Sequence, residues 1–371
     1  MGRTSTLRTR LRPRPADAGR EPVLPPGPLP RVLFLTSGSD DYVSDSLMHG
    51  LRELLGERVV DQPRADQLYR DQGPERRARR YGRAFTLYGG LLDDLDVDRT
   101  WISERVASGE FDLVVIGDLW RRAGALSDLL PLLPDTTTLA VVDGADTPKM
   151  YPYAPAFWLR PGGLTLPRAH RRGVYFKREV TSATAFWRCF GLLPGALAER
   201  LGATRGVRPI AISIPASAVV GDDLLDAPRP RRFQSHIVDP EVAEAVGASV
   251  AKPFETQDEY YADLRSSRFG ITVKREGWDA LRHYEIAAAG AIPCFRHLDA
   301  KPPRCAPHGL VDGVNCLAYD DVAALRARID ALGPERERAL RAGTLAWARE
   351  HTTRAEAARF LAACGRPLPA A

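Results

Sequence analysis

The chemistry-bearing residues of this chain concentrate in one run, Lys274-Arg-Glu-Gly-Trp-Asp-Ala-Leu-Arg-His-Tyr-Glu285. Lys274, Arg275 and Arg282 supply positive charge beside the expected start of a helix, whose free amides and dipole favour an anion; a phosphate ester is the natural ligand. Glu285 stands further along. An ionised carboxylate accepts two hydrogen bonds side by side, which suits the vicinal diol of a ribose. Cations for a diphosphate and a carboxylate for a ribose describe a nucleoside diphosphate site. The plainer alternative is an exposed Arg282–Glu285 salt bridge, worth about a few tenths of a kcal/mol.

Two apolar runs bracket these residues, Phe269-Gly-Ile-Thr-Val273 and Ala291-Ile-Pro-Cys-Phe295, and both read as buried strands. The pattern between them predicts a helix over Trp278–Ala288, with Gly277 at the preceding turn and Gly290 as a left-handed C-terminal cap. On that helix Asp279, Arg282 and Glu285 recur at a spacing of three and share a face. In a doubly wound sheet the loops at the carboxyl ends of the strands line the ligand crevice.

From Tyr260 to Pro293 the chain resembles the donor-binding motif of GT-B glycosyltransferases of the group 1 type. The shared pattern is an arginine, two residues, a glutamate, a turn of small residues and Ile-Pro, here Arg282, Glu285, Ala287-Ala-Ala-Gly290 and Ile292-Pro293. Leu310-Val-Asp-Gly-Val-Asn-Cys-Leu-Ala-Tyr319 is similar to the Asp-Gly-x-Asn-Cys loop of these enzymes, and Val174-Tyr-Phe-Lys-Arg-Glu179 to a run found in the same branch. The resemblance is strong over residues 206–355 and weaker over 31–205. It implies an α/β chain of two Rossmann-like, doubly wound parallel-sheet domains facing a central cleft. A nucleotide sugar (UDP-, GDP- or dTDP-linked) is the implied donor, with Glu285 on the ribose, Arg282, Lys274 and Arg275 on the diphosphate, and Ser235 and His236 where backbone approaches it. In one respect the chain departs from the pattern. Many retaining members carry a second glutamate eight positions before the ribose-binding one; that position is Gly277, and Glu276 is one out of register. Retention and inversion both stay open.

Composition sets the outer bounds. A chain of 371 residues fits two domains, and 44% apolar with 27% charged residues is ordinary for a water-soluble protein. No apolar run approaches the roughly 20 residues of a membrane span, and no apolar segment marks a secretory signal, so a cytoplasmic protein is expected. Five cysteines at irregular spacing suggest reduced thiols and neither a disulfide framework nor a zinc site. The net charge of +5 is uneven. Residues 1–30, with Arg3, Arg8, Arg10, Arg12, Arg14 and Arg20 among prolines, read as a disordered basic arm, and Arg76-Arg-Ala-Arg-Arg80 with Arg83 as a solvated helix face. Without an aromatic platform beside them, no specific nucleic-acid partner is expected.

The first half alternates strands and helices. Arg31–Ser37 is a buried strand followed by a helix from about Ser44 to Leu55, which brings Asp40, Asp41 and Tyr42 to the crevice as acceptor-side residues. Asp45 and His49, a helical turn apart, can form a carboxylate-oriented base, or His49 is structural. Phe111–Gly117 and Thr137–Val142 are further strands, and Tyr81–Tyr88 is an apolar segment. Asp143 and Asp146, in the turn after Val142, suit a group that takes the acceptor's proton or stabilises charge on the sugar; Asp143 as a plain turn cap is the equal alternative. Residues 147–172 read as a loop over the cleft. Lys177 and Arg178 reach either the diphosphate or an acidic acceptor.

These readings divide the chain into a basic arm (1–30), an acceptor-side domain (31–205), a donor-binding domain (206–352) and a C-terminal helix crossing back (353–371). The expected activity is metal-independent glycosyl transfer to a small natural product or a cell-surface glycan, with no cofactor beyond the donor; a homodimer is compatible. An inactive nucleotide-binding homologue, and an epimerase or phosphorylase on the same fold, are the rival readings.

Overall fold

The computed structural model describes residues 29–71, 87–151, 153 and 171–369. The basic arm up to residue 28, the arginine cluster, residues 81–86 of the Tyr81–Tyr88 segment, and residue 152 with 154–170 of the expected loop lie outside the described residues.

Short apolar runs become the inner strands, which are fully or largely buried where helices cover both faces, whereas the edge strands Val207–Pro209 and Arg231–Phe233 are mostly exposed. In the first half the strands are β1 (Val32–Leu35), β2 (Val59–Gln62), β3 (Leu113–Ile116), β4 (Thr138–Asp143), β5 (Val174–Lys177) and β6 (Val207–Pro209). They form one parallel sheet in the order β2-β1-β3-β4-β5-β6. The chain steps from β1 outward to β2 and then back across to β3. Such a reversal opens a crevice at the carboxyl ends of β1 and β3. Because β6 pairs with β5, this sheet extends past residue 205, the boundary read from the sequence.

A second parallel sheet follows in the order β10-β9-β8-β7, from β7 (Arg231–Phe233), β8 (Ser267–Thr272), β9 (Ile292–Arg296) and β10 (Leu317–Tyr319). The strand β7 ends at Phe233, and Gln234–Val238 form the loop at its carboxyl end.

The helices of the first half are α1 (Tyr42–Leu55), α2 (Ile102–Ala107), α3 (Leu119–Leu129), α4 (Ser182–Arg188) and α5 (Gly195–Arg200). Those of the second are α6 (Pro240–Val246), α7 (Gln257–Ser266), α8 (Leu281–Ala288), α9 (Val322–Asp330), α10 (Pro334–Glu350) and α11 (Thr353–Ala363). Side chains fix most of their starts. Asp41 accepts from the Ser44 amide at 2.8 Å, Asp118 from Arg121 at 3.2 Å, and Thr256 with Glu259 forms a capping box. In contrast, α8 has no capping side chain, and its His283 amide donates to the Ala280 carbonyl at 3.1 Å.

One apolar cluster runs through both halves. Phe34, Leu47, Leu51 and Phe176 of the first sheet and α1 pack with Leu281, Tyr284 and Ala287 of α8, Trp347 of α10 and Phe360 of α11. Each fully buried side chain of this kind contributes about 1.5–3 kcal/mol, so the halves are joined by core. Helix α11 returns to the first half and lies on α1, where His49 meets Thr353 at 2.9 Å. Among the described residues no helix is long and apolar enough to cross a membrane.

Candidate functional site

The carboxyl ends of the two sheets meet across a cleft that holds two adjoining cavities. The larger, about 760 Å³, lies over the first sheet and is lined by the loops after β1 (Ser39, Asp40, Asp41), β4 (Gly144, Ala145, Asp146) and β5 (Arg178) and by Asp118 with Trp120 and Arg121 of the first turn of α3. The smaller, about 430 Å³, lies against the second sheet. Val238, Lys252, Tyr260, Thr272, Arg275, Arg282 and Glu285 line it from the second half, and Ile212 from the connecting segment. Tyr42, Asp146 and Arg178 border both cavities and mark the seam between them.

Glu285 sits at the floor of the smaller cavity, only 5% exposed. Its carboxylate accepts from the Tyr260 phenol through one oxygen and from the Tyr261 phenol through the other, each at 2.7 Å. Burial raises its pKa, against the pull of Arg282 and the two phenols. A carboxylate offers about four acceptor positions, so the tyrosines orient it and leave two positions for a ligand. No ion pair joins Arg282 to Glu285. The Arg282 guanidinium lies 5.7 Å from the Tyr260 ring centre, and its Nη1 has no hydrogen-bond partner. Lys252 adds a third cation to Arg275 and Arg282, and burial lowers its pKa.

The helix expected from Trp278 begins at Leu281. Trp278 and Asp279 are held in a loop instead, because both amides donate to the Glu179 carboxylate at 2.7 and 3.1 Å. Asp279 therefore does not share a face with Arg282 and Glu285. It accepts from the Ile212 amide and from the Tyr284 hydroxyl, both at 2.8 Å, and burial pushes its pKa up to about 6. Lys274 also departs from expectation. Its ammonium donates to the carbonyls of Arg275 and Glu276, and it borders a separate groove with Trp278 and Arg296. Ser235 is tied to Asp263 and His236 to the Ser249 carbonyl; neither lines the cavity, whereas Val238 from the same loop does.

Three expectations for the first half are corrected. Asp143 is fully buried and accepts from Trp120 Nε1 at 2.7 Å and the Tyr175 hydroxyl at 2.8 Å, with Lys177 Nζ at 3.2 Å. It lines neither cavity. Lys177 is as deeply buried as its partner, and burial lowers its pKa. His49 is buried against Thr353 and Glu53, and Asp45 turns to Gln67, so the expected pair does not form. Asp146, half exposed at the seam and 3.6 Å from Arg178, keeps its place in the cleft. Asp40, Asp41 and Tyr42 also line it, although Asp41 spends one oxygen on capping α1. Lys252, Tyr260, Tyr261 and Glu179 were missed, because each reaches the site from a distant stretch with no local spacing to Glu285.

None of the family models and none of the curated proteins compared with the chain matches it. Solved structures do. HepE of Anabaena, in complex with UDP, aligns over 90% of this chain and 98% of its own with a TM-score of 0.51 at 10% identity. A glycosyltransferase of Rickettsia africae covers 91% and 98% with a TM-score of 0.48 at 8% identity. AviGT4, a glycosyltransferase involved in Avilamycin A biosynthesis, covers 91% and 97% with a TM-score of 0.46 at 14% identity. The likeness to HepE is one of fold. With two parallel α/β layers meeting at a cleft, it gives the chain the GT-B fold, two Rossmann-like domains face to face.

Proposed function

We propose that this chain transfers a sugar from a nucleoside diphosphate donor to an acceptor that enters over the first sheet. The observation that carries the reading is Glu285, a buried carboxylate oriented by two phenols and opening into the same cavity as Arg275, Arg282 and Lys252. A ribose diol pairs with the free acceptor positions of Glu285, and the diphosphate lies along the three cations and the uncapped start of α8. In this reading the sugar lies at the seam beside Tyr42, Asp146 and Arg178.

Transfer needs charge stabilisation on the departing diphosphate and a group to receive the acceptor's proton. The cations supply the first without calling on a divalent ion, and no cofactor beyond the donor enters the scheme. Asp146 is the carboxylate best situated for the second, since it borders both cavities and is half exposed. HepE has this fold and is known in complex with UDP, which makes UDP-sugars the first donors to test, followed by GDP- and dTDP-sugars.

The test is release of nucleoside diphosphate from these sugars. Asp146→Asn is expected to lower turnover about 100-fold, the scale of general acid–base catalysis, while nucleotide affinity and melting temperature stay as in wild type. Unchanged turnover in that variant removes Asp146 from the mechanism. Failure of every nucleotide sugar to turn over removes the activity.

A further inference from the structure

Resting on the donor-site reading above, we infer that Glu179, from the first domain, is a positioning residue for the donor loop of the second. The loop Lys274–Ala280 bears Arg275 on the cavity wall and leads into the start of α8, so its shape sets where the diphosphate can lie. Nothing in the loop's own sequence caps that start. Its Trp278 and Asp279 amides donate instead to one oxygen of Glu179, about a hundred residues away in the chain and only 3% exposed. One oxygen that accepts from two successive amides is a directional restraint on the loop backbone.

Gly277 gives the second, independent observation. A Cβ built there would lie 2.5 Å from Glu179 Oε1 and 3.0 Å from the Asp146 Cβ. The loop is thus closed down on two first-domain acidic residues, and a side chain at 277 would have to displace the Glu179 carboxylate from the two amides it holds. Asp279 is itself tied to the connection between the domains, where its carboxylate accepts from the Ile212 amide. The donor loop takes its binding shape from the first domain, and nucleotide binding is linked to the packing of one domain on the other.

Two substitutions separate reach from charge. Glu179→Gln keeps the oxygen that accepts both amides, and Glu179→Asp keeps the charge but withdraws it by one methylene. By calorimetry, Glu179→Asp is expected to bind UDP about tenfold or more weakly, and Glu179→Gln within about threefold of wild type. Hydrogen exchange without nucleotide gives a readout that does not depend on the donor reading. The peptide covering 274–281 should exchange faster in Glu179→Asp, with β8 and β9 as protected as before. Wild-type exchange of that peptide in Glu179→Asp would overturn the inference, and so would equal loss of UDP affinity in both variants. If wild type does not bind UDP, the donor reading falls, and hydrogen exchange still decides the role of Glu179.

Discussion

Asp143 shows how a residue with the right type and spacing can be taken out of chemistry by its surroundings. It ends β4 at the ligand edge of the sheet, as its position in the sequence implies, but its side chain turns inward to Trp120, Tyr175 and Lys177. Removing one partner of a buried ion pair strands the other without water, at a cost of about 3–5 kcal/mol. Asp143→Asn should therefore lower the melting temperature sharply by leaving Lys177 unpaired, an effect that thermal denaturation measures. A stable variant with slowed turnover would return Asp143 to the catalytic list. Asp146, three residues on, was equally legible and stays in the cleft. Sequence placed both at the sheet edge; which one faces the cavity depends on a Trp from α3 and a Tyr and a Lys from β5, and no spacing reports that.

At the level of elements, the strand, loop, helix and glycine around Glu285 were legible because each leaves a local mark. Gly290 does take a positive φ of 73° at the end of α8, the conformation that favours glycine. The start of α8 was not legible, since the competitor for the Trp278 and Asp279 amides comes from β5's carboxyl end. The outcome is a buried Asp279 pinned between Ile212 and Tyr284. Its pKa, about 6 in the fold against 3.8 in the open chain, has a definite consequence. The folded state holds this proton more tightly than the unfolded one, so the contribution to stability is present below pH 4 and is lost as pH rises through 6. Relative to Asp279→Asn, wild type should lose on the order of 3 kcal/mol between about pH 4 and 7, measured by denaturant unfolding at both pH values. Parallel pH profiles for the two proteins would contradict the raised pKa.

Across the whole molecule, the division of labour follows from where the sheets point. Both present the carboxyl ends of their strands to one cleft, and the second sheet supplies Glu285, Arg282, Arg275 and Lys252 while the first supplies Asp40, Asp41, Asp146 and Arg178. Core shared through α8, α10 and α11 keeps these two groups in register. In calorimetric titration with UDP, GDP and dTDP, one of them should bind wild type, and Glu285→Ala should weaken it by about 1.5–3 kcal/mol, the worth of hydrogen bonds to a charged group. Binding by none of them, or equal affinity in Glu285→Ala, would contradict a nucleoside diphosphate held through Glu285.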